Sequence, residues 1–196
     1  MIGLSLLERG VIPDPLVRIG IRRLLRQRLR EEDRGSPEAN QQAVIDWVEG
    51  LRDSPIAIQT NAANEQHYEV PGEFFAQVLG KHLKYSSGYW DQNDTTLDTA
   101  ETAMLEMYVE RAELKDGMRV LDLGCGWGSL SLFVAERFPN SQVVGVSNSS
   151  SQREFILARA KERGLTNVSI ETCDVNDLAL EGTFDRVMSI EMFEHL

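Results

Sequence analysis

The chain has 196 residues, of which 42% are hydrophobic and 26% charged, enough for one domain with a helical extension. Its net charge of −11 disfavours duplex nucleic acid as a partner, because a phosphate backbone calls for a basic face. Two cysteines, Cys125 and Cys173, stand far apart without CxxC spacing, which argues against a disulfide framework and a zinc site; no metal is expected, and a reducing cytoplasm is the expected compartment.

The opening MIGLSLLERGVIPDP lacks the flanks and the apolar length of a secretory signal, and no apolar run reaches the roughly 18–20 residues that span a bilayer. Residues 1–34 hold eight arginines against five acids, a net of +3, so the remainder carries −14. An acidic body with one basic helix is compatible with a cationic small substrate and with peripheral contact at an anionic membrane.

After Pro13 and Pro15, the residues Leu16, Ile19, Leu24, Leu25 and Leu29 recur at helical spacing among arginines. Ser36-Pro37-Glu38 combines a capping hydroxyl, a first-turn proline and an acid near the positive helix end. The helix it starts carries Val44, Ile45, Trp47, Val48 and Leu51 and should end near Asp53-Ser54-Pro55. A less regular aromatic and polar stretch follows. A further helix is expected from about Asp98 to Leu114, with Ala100, Ala103, Met104, Met107 and Tyr108 along one face.

Past Lys115-Asp116-Gly117 the texture changes. RVLDLG (119–124), QVVGVS (142–147), VSIETC (168–173) and DRVMSI (185–190) are short β-branched runs separated by helical patterns, which implies βαβ units and a parallel sheet. The expected organisation is a helical extension and lid over 1–115, then a Rossmann-like α/β domain over 116–196. A sheet of this kind normally continues beyond a fourth strand, so a C-terminally truncated chain is expected.

The strongest motif is Val120-Leu-Asp122-Leu-Gly124-Cys-Gly126-Trp-Gly128. Glycines allow a sharp strand-to-helix turn and close ligand approach, and the helix start behind them offers N–H groups to an anion. The dinucleotide fingerprint G-x-G-x-x-G fits poorly: the third glycine comes one residue early, and the second strand ends Val146-Ser147-Asn148 without an acid. After the third strand, Asp174 and the backbone N–H of Val175 can read the amino group and a ring nitrogen of adenine. Cys125 is read as a small hydrophobe at the cofactor, and the aromatic cluster Phe74, Phe75, Tyr85, Tyr89 and Trp90 as core. His67 and His82 are read as packed or solvated.

At these residues the chain resembles the cyclopropane fatty acid synthase family of S-adenosylmethionine-dependent methyltransferases, and more closely its coclaurine N-methyltransferase-like branch. NAANEQHYEVP, LGKHLKYSSGYW, MRVLDLGCGWGSLSL, VVGVSNSSSQREFI and FDRVMSIEMFEHL carry the resemblance, from about Asn61 to the end. It implies the class I methyltransferase fold, of whose parallel sheet this chain supplies the first four strands, and S-adenosyl-L-methionine as cofactor. It also implies that Tyr85 and Ser86 close over the methionine end, Asn148 and Gln152 hold the ribose, and Asp174 and Val175 the adenine. With the loop residues Asp122, Gly124, Gly126 and Gly128, and Ile190 at the end of the fourth strand, these are the expected cofactor contacts.

Glu191, Glu194 and His195 stand at i, i+3 and i+4, so a helix starting there would put them on one face beyond the fourth strand, where ligands of open α/β sheets bind. Methyl transfer is an in-line displacement in which positioning supplies much of the rate. An amine must also lose its proton, which a carboxylate–imidazole cluster can accept. These three are the expected catalytic residues.

Cyclopropane synthases share a glutamate matching Glu194, which there helps hold a bicarbonate, but they have Gly at position 191 and Cys at position 87; this chain has Glu191 and Ser87. The leading expectation is N-methylation of a small amine. Methylenation or methylation of an unsaturated lipid is the second, and a cofactor-binding fragment without turnover the third. Nucleic-acid methylation is disfavoured by charge and by the lack of a D/N-P-P-Y motif.

Overall fold

A computed structural model describes residues 6–58, 72–92 and 95–195, with the backbone alone for His195. The segment NAANEQHYEVP and His67 lie outside the described residues. Two compact units form, Met1–Pro55 and Ile56–Leu196. This division by packing falls well before the change of sequence texture at 115–116.

In the first unit, α1 (Asp14–Glu32) starts behind Pro13, and α2 (Pro37–Gly50) runs into a 3-10 turn, Leu51–Asp53. Ser36 caps α2 as its sequence announces: the Ala39 N–H donates to Ser36 Oγ at 3.1 Å. Neither helix contains a buried residue. No helix among the described residues is long and apolar enough to cross a membrane.

Among its described residues, the second unit has a short helix α3 (Gly72–Val78) and then α4 (Leu97–Arg111). Then β1 (Arg119–Leu123), α5 (Ser129–Arg137), β2 (Gln142–Ser147), α6 (Ser150–Glu162), β3 (Val168–Thr172) and β4 (Arg186–Met188) alternate. The four strands lie parallel in the order β3-β2-β1-β4, so the chain steps outward from β1 to β3 and then crosses to the other side of β1. That reversal beside β1 opens a crevice at the strands' carboxyl ends, the usual ligand position in such sheets.

The central strands β1 and β2 bury Val120, Leu121, Val143 and Val146, and β3 and β4 at the margins are more exposed. This follows from parallel sheets needing cover on both faces. One core joins Leu105, Val109 and Leu114 to Val120, Leu130, Val134 and Val143; a second joins Cys125, Leu132, Ile156, Ala160 and Ile170.

Two expectations need correction. α4 stops at Arg111, not Leu114, because Glu113 takes φ 51° and the Leu114 N–H closes back onto Val109 O. Its buried stripe is Ala100, Glu101, Leu105 and Val109; of the expected face only Ala100 is fully buried. The helix is rotated so that Glu101 faces inward, where its carboxylate accepts the backbone N–H groups of Gly80, His82 and Lys84. Three otherwise orphaned donors account for burying a charge that hydropathy alone assigns to solvent.

Candidate active site at the carboxyl ends of the strands

The glycine loop after β1 is shaped by three left-handed residues, Gly124 (φ 83°), Gly126 (φ 52°) and Gly128 (φ 82°). A Cβ at Gly124 would fall 2.7 Å from the Met192 side chain, and one at Gly128 would fall 2.7 Å from Ile156. A Cβ at Gly126 would meet nothing within 4 Å. Two glycines thus allow close packing, and the third presents bare backbone to the open side. Beyond Gly128, α5 begins without a side-chain cap, so its first N–H groups face the loop.

Beneath the loop, Asp122 is buried and accepts the Ser131 hydroxyl at 2.6 Å. Burial pushes its carboxyl up to about 6, against the opposing pull of Ser131. Its partner is a core side chain, so it anchors the loop to α5 from below. The Cys125 side chain packs in the second core cluster as a small hydrophobe, and burial pushes its thiol well above the ordinary range. It is no nucleophile.

Four buried side-chain atoms lack a hydrogen-bond partner among the described residues: Trp127 Nε1, Ser129 Oγ, Gln152 Nε2 and Ser189 Oγ. Trp127 and Ser129 follow β1, Gln152 follows β2 and Ser189 follows β4, all at the carboxyl edge of the sheet. Gln152 is otherwise fixed by accepting the Ser147 hydroxyl at 2.6 Å. Orphaned polar atoms are rare in folded proteins, and this concentration fits a polar ligand across the strand ends. Asn148 is exposed, and Asp174 and Val175 are half-buried. Asp174 Oδ1 accepts the N–H of Asn176, whose amide in turn pairs with both the N–H and the C=O of Ala57, tying the segment at Ile56 to the loop after β3.

The other wall is the 83–87 segment. Leu83 and Trp127 pack with Phe75, and Tyr85 meets the Phe75 ring edge-on at 5.2 Å, which sets this segment against the glycine loop. Of the expected aromatic core only Phe75 is buried; Phe74 on α3, and Tyr85, Tyr89 and Trp90 in the segment that follows it, are exposed. Glu191 carries φ 53°, an uncommon backbone for a non-glycine residue, and its Oε1 accepts both the N–H and the hydroxyl of Ser87, at 2.9 and 3.0 Å. Ile190 is half-buried beside it.

The expected helical face of Glu191, Glu194 and His195 is not what forms. A 3-10 turn, Phe193–His195, holds Glu194 exposed, and Glu191 stands before it in its own strained turn. Gly124 packs against Met192, so the segment that carries both glutamates runs beside the loop all the same. His82 is a packing histidine: Nε2 lies 3.0 Å from Thr102 Oγ1, the ring meets Phe133 edge-on, and burial lowers its pKa.

Lys84 and Tyr108 were not foreseen as site residues. The Lys84 ammonium donates to Ser86 Oγ and to Tyr108 OH, the latter at 3.0 Å. Burial lowers the Lys84 pKa, and burial with the field of Glu191 raises that of Tyr108. No local pattern in KHLKYSS marks which lysine will be enclosed.

Residues 57–196 match the family model for mycolic acid cyclopropane synthetase. The chain is 41% identical over 193 residues to (S)-coclaurine N-methyltransferase of Thalictrum flavum subsp. glaucum, covering 98% of this chain and 54% of that protein. It is 38% identical over 132 residues to cyclopropane-fatty-acyl-phospholipid synthase of Escherichia coli K12, covering 67% of this chain and 33% of the relative. The crystal structure of a coclaurine N-methyltransferase bound to N-methylheliamine and SAH superposes with a TM-score of 0.85 at 39% identity, covering 97% of this chain and 55% of that one. The chain thus spans about half the length of the curated relatives it matches. With a four-stranded parallel sheet, a bare glycine loop and that match, the chain belongs to the mycolic acid cyclopropane synthetase family of methyltransferase-fold proteins.

Proposed function

We propose that the protein carrying this chain transfers a methyl group from S-adenosylmethionine to the nitrogen of a small amine. The observation that carries this reading is the pair of carboxylates after β4, Glu191 held by Ser87 and Glu194 exposed, on a segment that runs beside a glycine loop with bare backbone at Gly126. The similarity to coclaurine N-methyltransferases supports it. Asp174 and Val175 would take the adenine, Asn148 and Gln152 the ribose, and the 124–128 loop with Tyr85 and Ser86 the methionine end. The bound cofactor supplies an electrophilic methyl on a sulfonium.

The protein's own part is to hold the amine in line and remove its proton. Glu191, fixed through Oε1, offers a stationary negative charge to an incoming ammonium. Glu194 and His195 take up the proton, leaving the nitrogen lone pair to attack. In the full-length protein, Glu194→Gln is expected to lower turnover on an amine at neutral pH by roughly 10²–10⁴-fold, the scale of general-base loss. Cofactor binding should persist, and higher pH should restore part of the rate by deprotonating the amine in solution. Full activity of Glu194→Gln at neutral pH rules the amine mechanism out.

A second reading, modification of an unsaturated lipid, draws on α1, whose Leu16, Ile19, Leu24, Leu25 and Leu29 are exposed among arginines, as an interfacial helix requires. Methylation assays on amines and on anionic phospholipid vesicles separate the two.

A further inference from the structure

Among the described residues Lys84 is the one fully buried cation, with 4% of its surface exposed, and it enters no ion pair there. Enclosing an ammonium without a paired anion is costly, so such a group points to a role. Its donors meet two neutral hydroxyls, Ser86 Oγ and Tyr108 OH, and the ammonium lies 4.8 Å from the Tyr108 ring centroid.

The two carboxylates whose fields reach it are engaged elsewhere. Glu101 Oε1 accepts the N–H groups of Gly80 and Lys84, and its Oε2 that of His82. Glu191 Oε1 accepts both donors of Ser87. Among the described residues no anion touches the ammonium, so its two hydroxyl partners are the route by which a further negative group meets its charge.

Hydrogen-bond direction says where that group would bind. An ammonium can only donate, so Ser86 Oγ accepts from Lys84, and the Ser86 hydroxyl hydrogen is directed elsewhere, to the Tyr108 oxygen or to a ligand. A hydroxyl polarised by a cation behind it is a strengthened donor, suited to a carboxylate. Ser86 belongs to the segment that Phe75 joins to Trp127, the residue after the bare Gly126.

We propose that Lys84 is a positioning residue for the amino-acid carboxylate of the cofactor, acting through Ser86, whose hydroxyl it aims and polarises. This rests on the reading that the site takes S-adenosylmethionine. Lys84 supplies positive charge without touching the ligand, and Ser86 makes the contact.

The test is calorimetric titration of the full-length protein with S-adenosylmethionine and with decarboxylated S-adenosylmethionine, which keeps the adenosine, sulfonium and amine and lacks only the carboxylate. Lys84→Met keeps most of the buried stem and removes the charge. It is expected to weaken S-adenosylmethionine about tenfold, the scale of one charge-assisted hydrogen bond, and to leave the decarboxylated ligand within about twofold.

Ser86→Ala should show the same selective loss, and the double variant little more than either single one, because the two residues act as a unit. Equal weakening of both ligands, or undiminished binding of S-adenosylmethionine, overturns the proposal. If Lys84→Met does not fold by thermal denaturation, Ser86→Ala decides alone: unchanged discrimination between the ligands overturns it. A wild-type protein that binds neither ligand overturns the cofactor reading itself, and this inference with it.

Discussion

α1 and α2 carry sequence signals as plain as those of the parallel sheet, yet the two regions put their apolar residues in opposite places. In α1, Leu24 is 65% and Leu29 71% exposed, whereas Val134 and Ile156 in α5 and α6 are fully enclosed. The helices of the first unit follow from local causes: a proline in the first turn, the Ser36 cap, and straight-chain residues between. Those of the second unit are held by packing against strands that lie far away in sequence. Periodicity alone therefore says that a helix has an apolar face and not that anything covers it.

The glycine loop gives the strongest contrast between packing and open surface. Gly128→Val would drive a side chain into Ile156 from a backbone at φ 82°, and is expected to destabilise the second unit by more than about 4 kcal/mol. Gly126→Val meets no neighbour and carries only the backbone strain of φ 52°, so it should lose less stability than Gly128→Val and leave a folded protein that no longer binds S-adenosylmethionine. Thermal denaturation followed by calorimetry distinguishes them; a Gly126→Val variant with unchanged affinity would remove the loop from the binding site.

Next in size is the core itself. Leu105→Ala should cost about 3 kcal/mol in urea unfolding, while Leu24→Ala on α1 should stay within about 0.5 kcal/mol. A comparable cost at Leu24 would mean that the face of α1 is covered in solution.

Asp122 adds a pH dependence to the second unit. Its folded pKa of about 6 lies above the ordinary 3.8, so the folded state favours the protonated form. The resulting stabilisation is complete below pH 3.8 and is lost as pH rises through about 6. Two pKa units correspond to about 2–3 kcal/mol, and Asp122→Asn should remove this component from a stability–pH profile. An identical slope in wild type and variant between pH 4 and 6 would contradict it.

The smallest effect belongs to the first unit. Ser36→Ala should cost α2 about 1 kcal/mol, read as faster amide exchange in its first turn and no change in the sheet.

The strand-and-helix pattern was legible in the sequence. The 124–128 spacing read as a ligand loop because glycine has few other uses at a strand-to-helix turn, and the four β-branched runs became four parallel strands within two residues at each end. The family resemblance, not local pattern, points to Gln152 as a ribose contact, and its buried amide nitrogen lacks a partner among the described residues. The rotation of α4 was not legible. Glu101 is buried by backbone donors about twenty residues away, which no window of periodicity contains.

By itself the sequence determined the alternation of strands and helices, the caps, the glycine loop and the family, because each rests on residues close together in the chain. The tertiary structure alone decided that Gly126 is bare while Gly124 and Gly128 are packed, since Met192 and Ile156 come from other elements. It likewise decided that Glu191 is held by Ser87 and that Lys84 is enclosed behind Ser86. Whether a charged side chain is exposed, paired or buried depends on what the topology brings against it, and the β4 crossover that brings residues 191 and 87 together joins positions 104 apart.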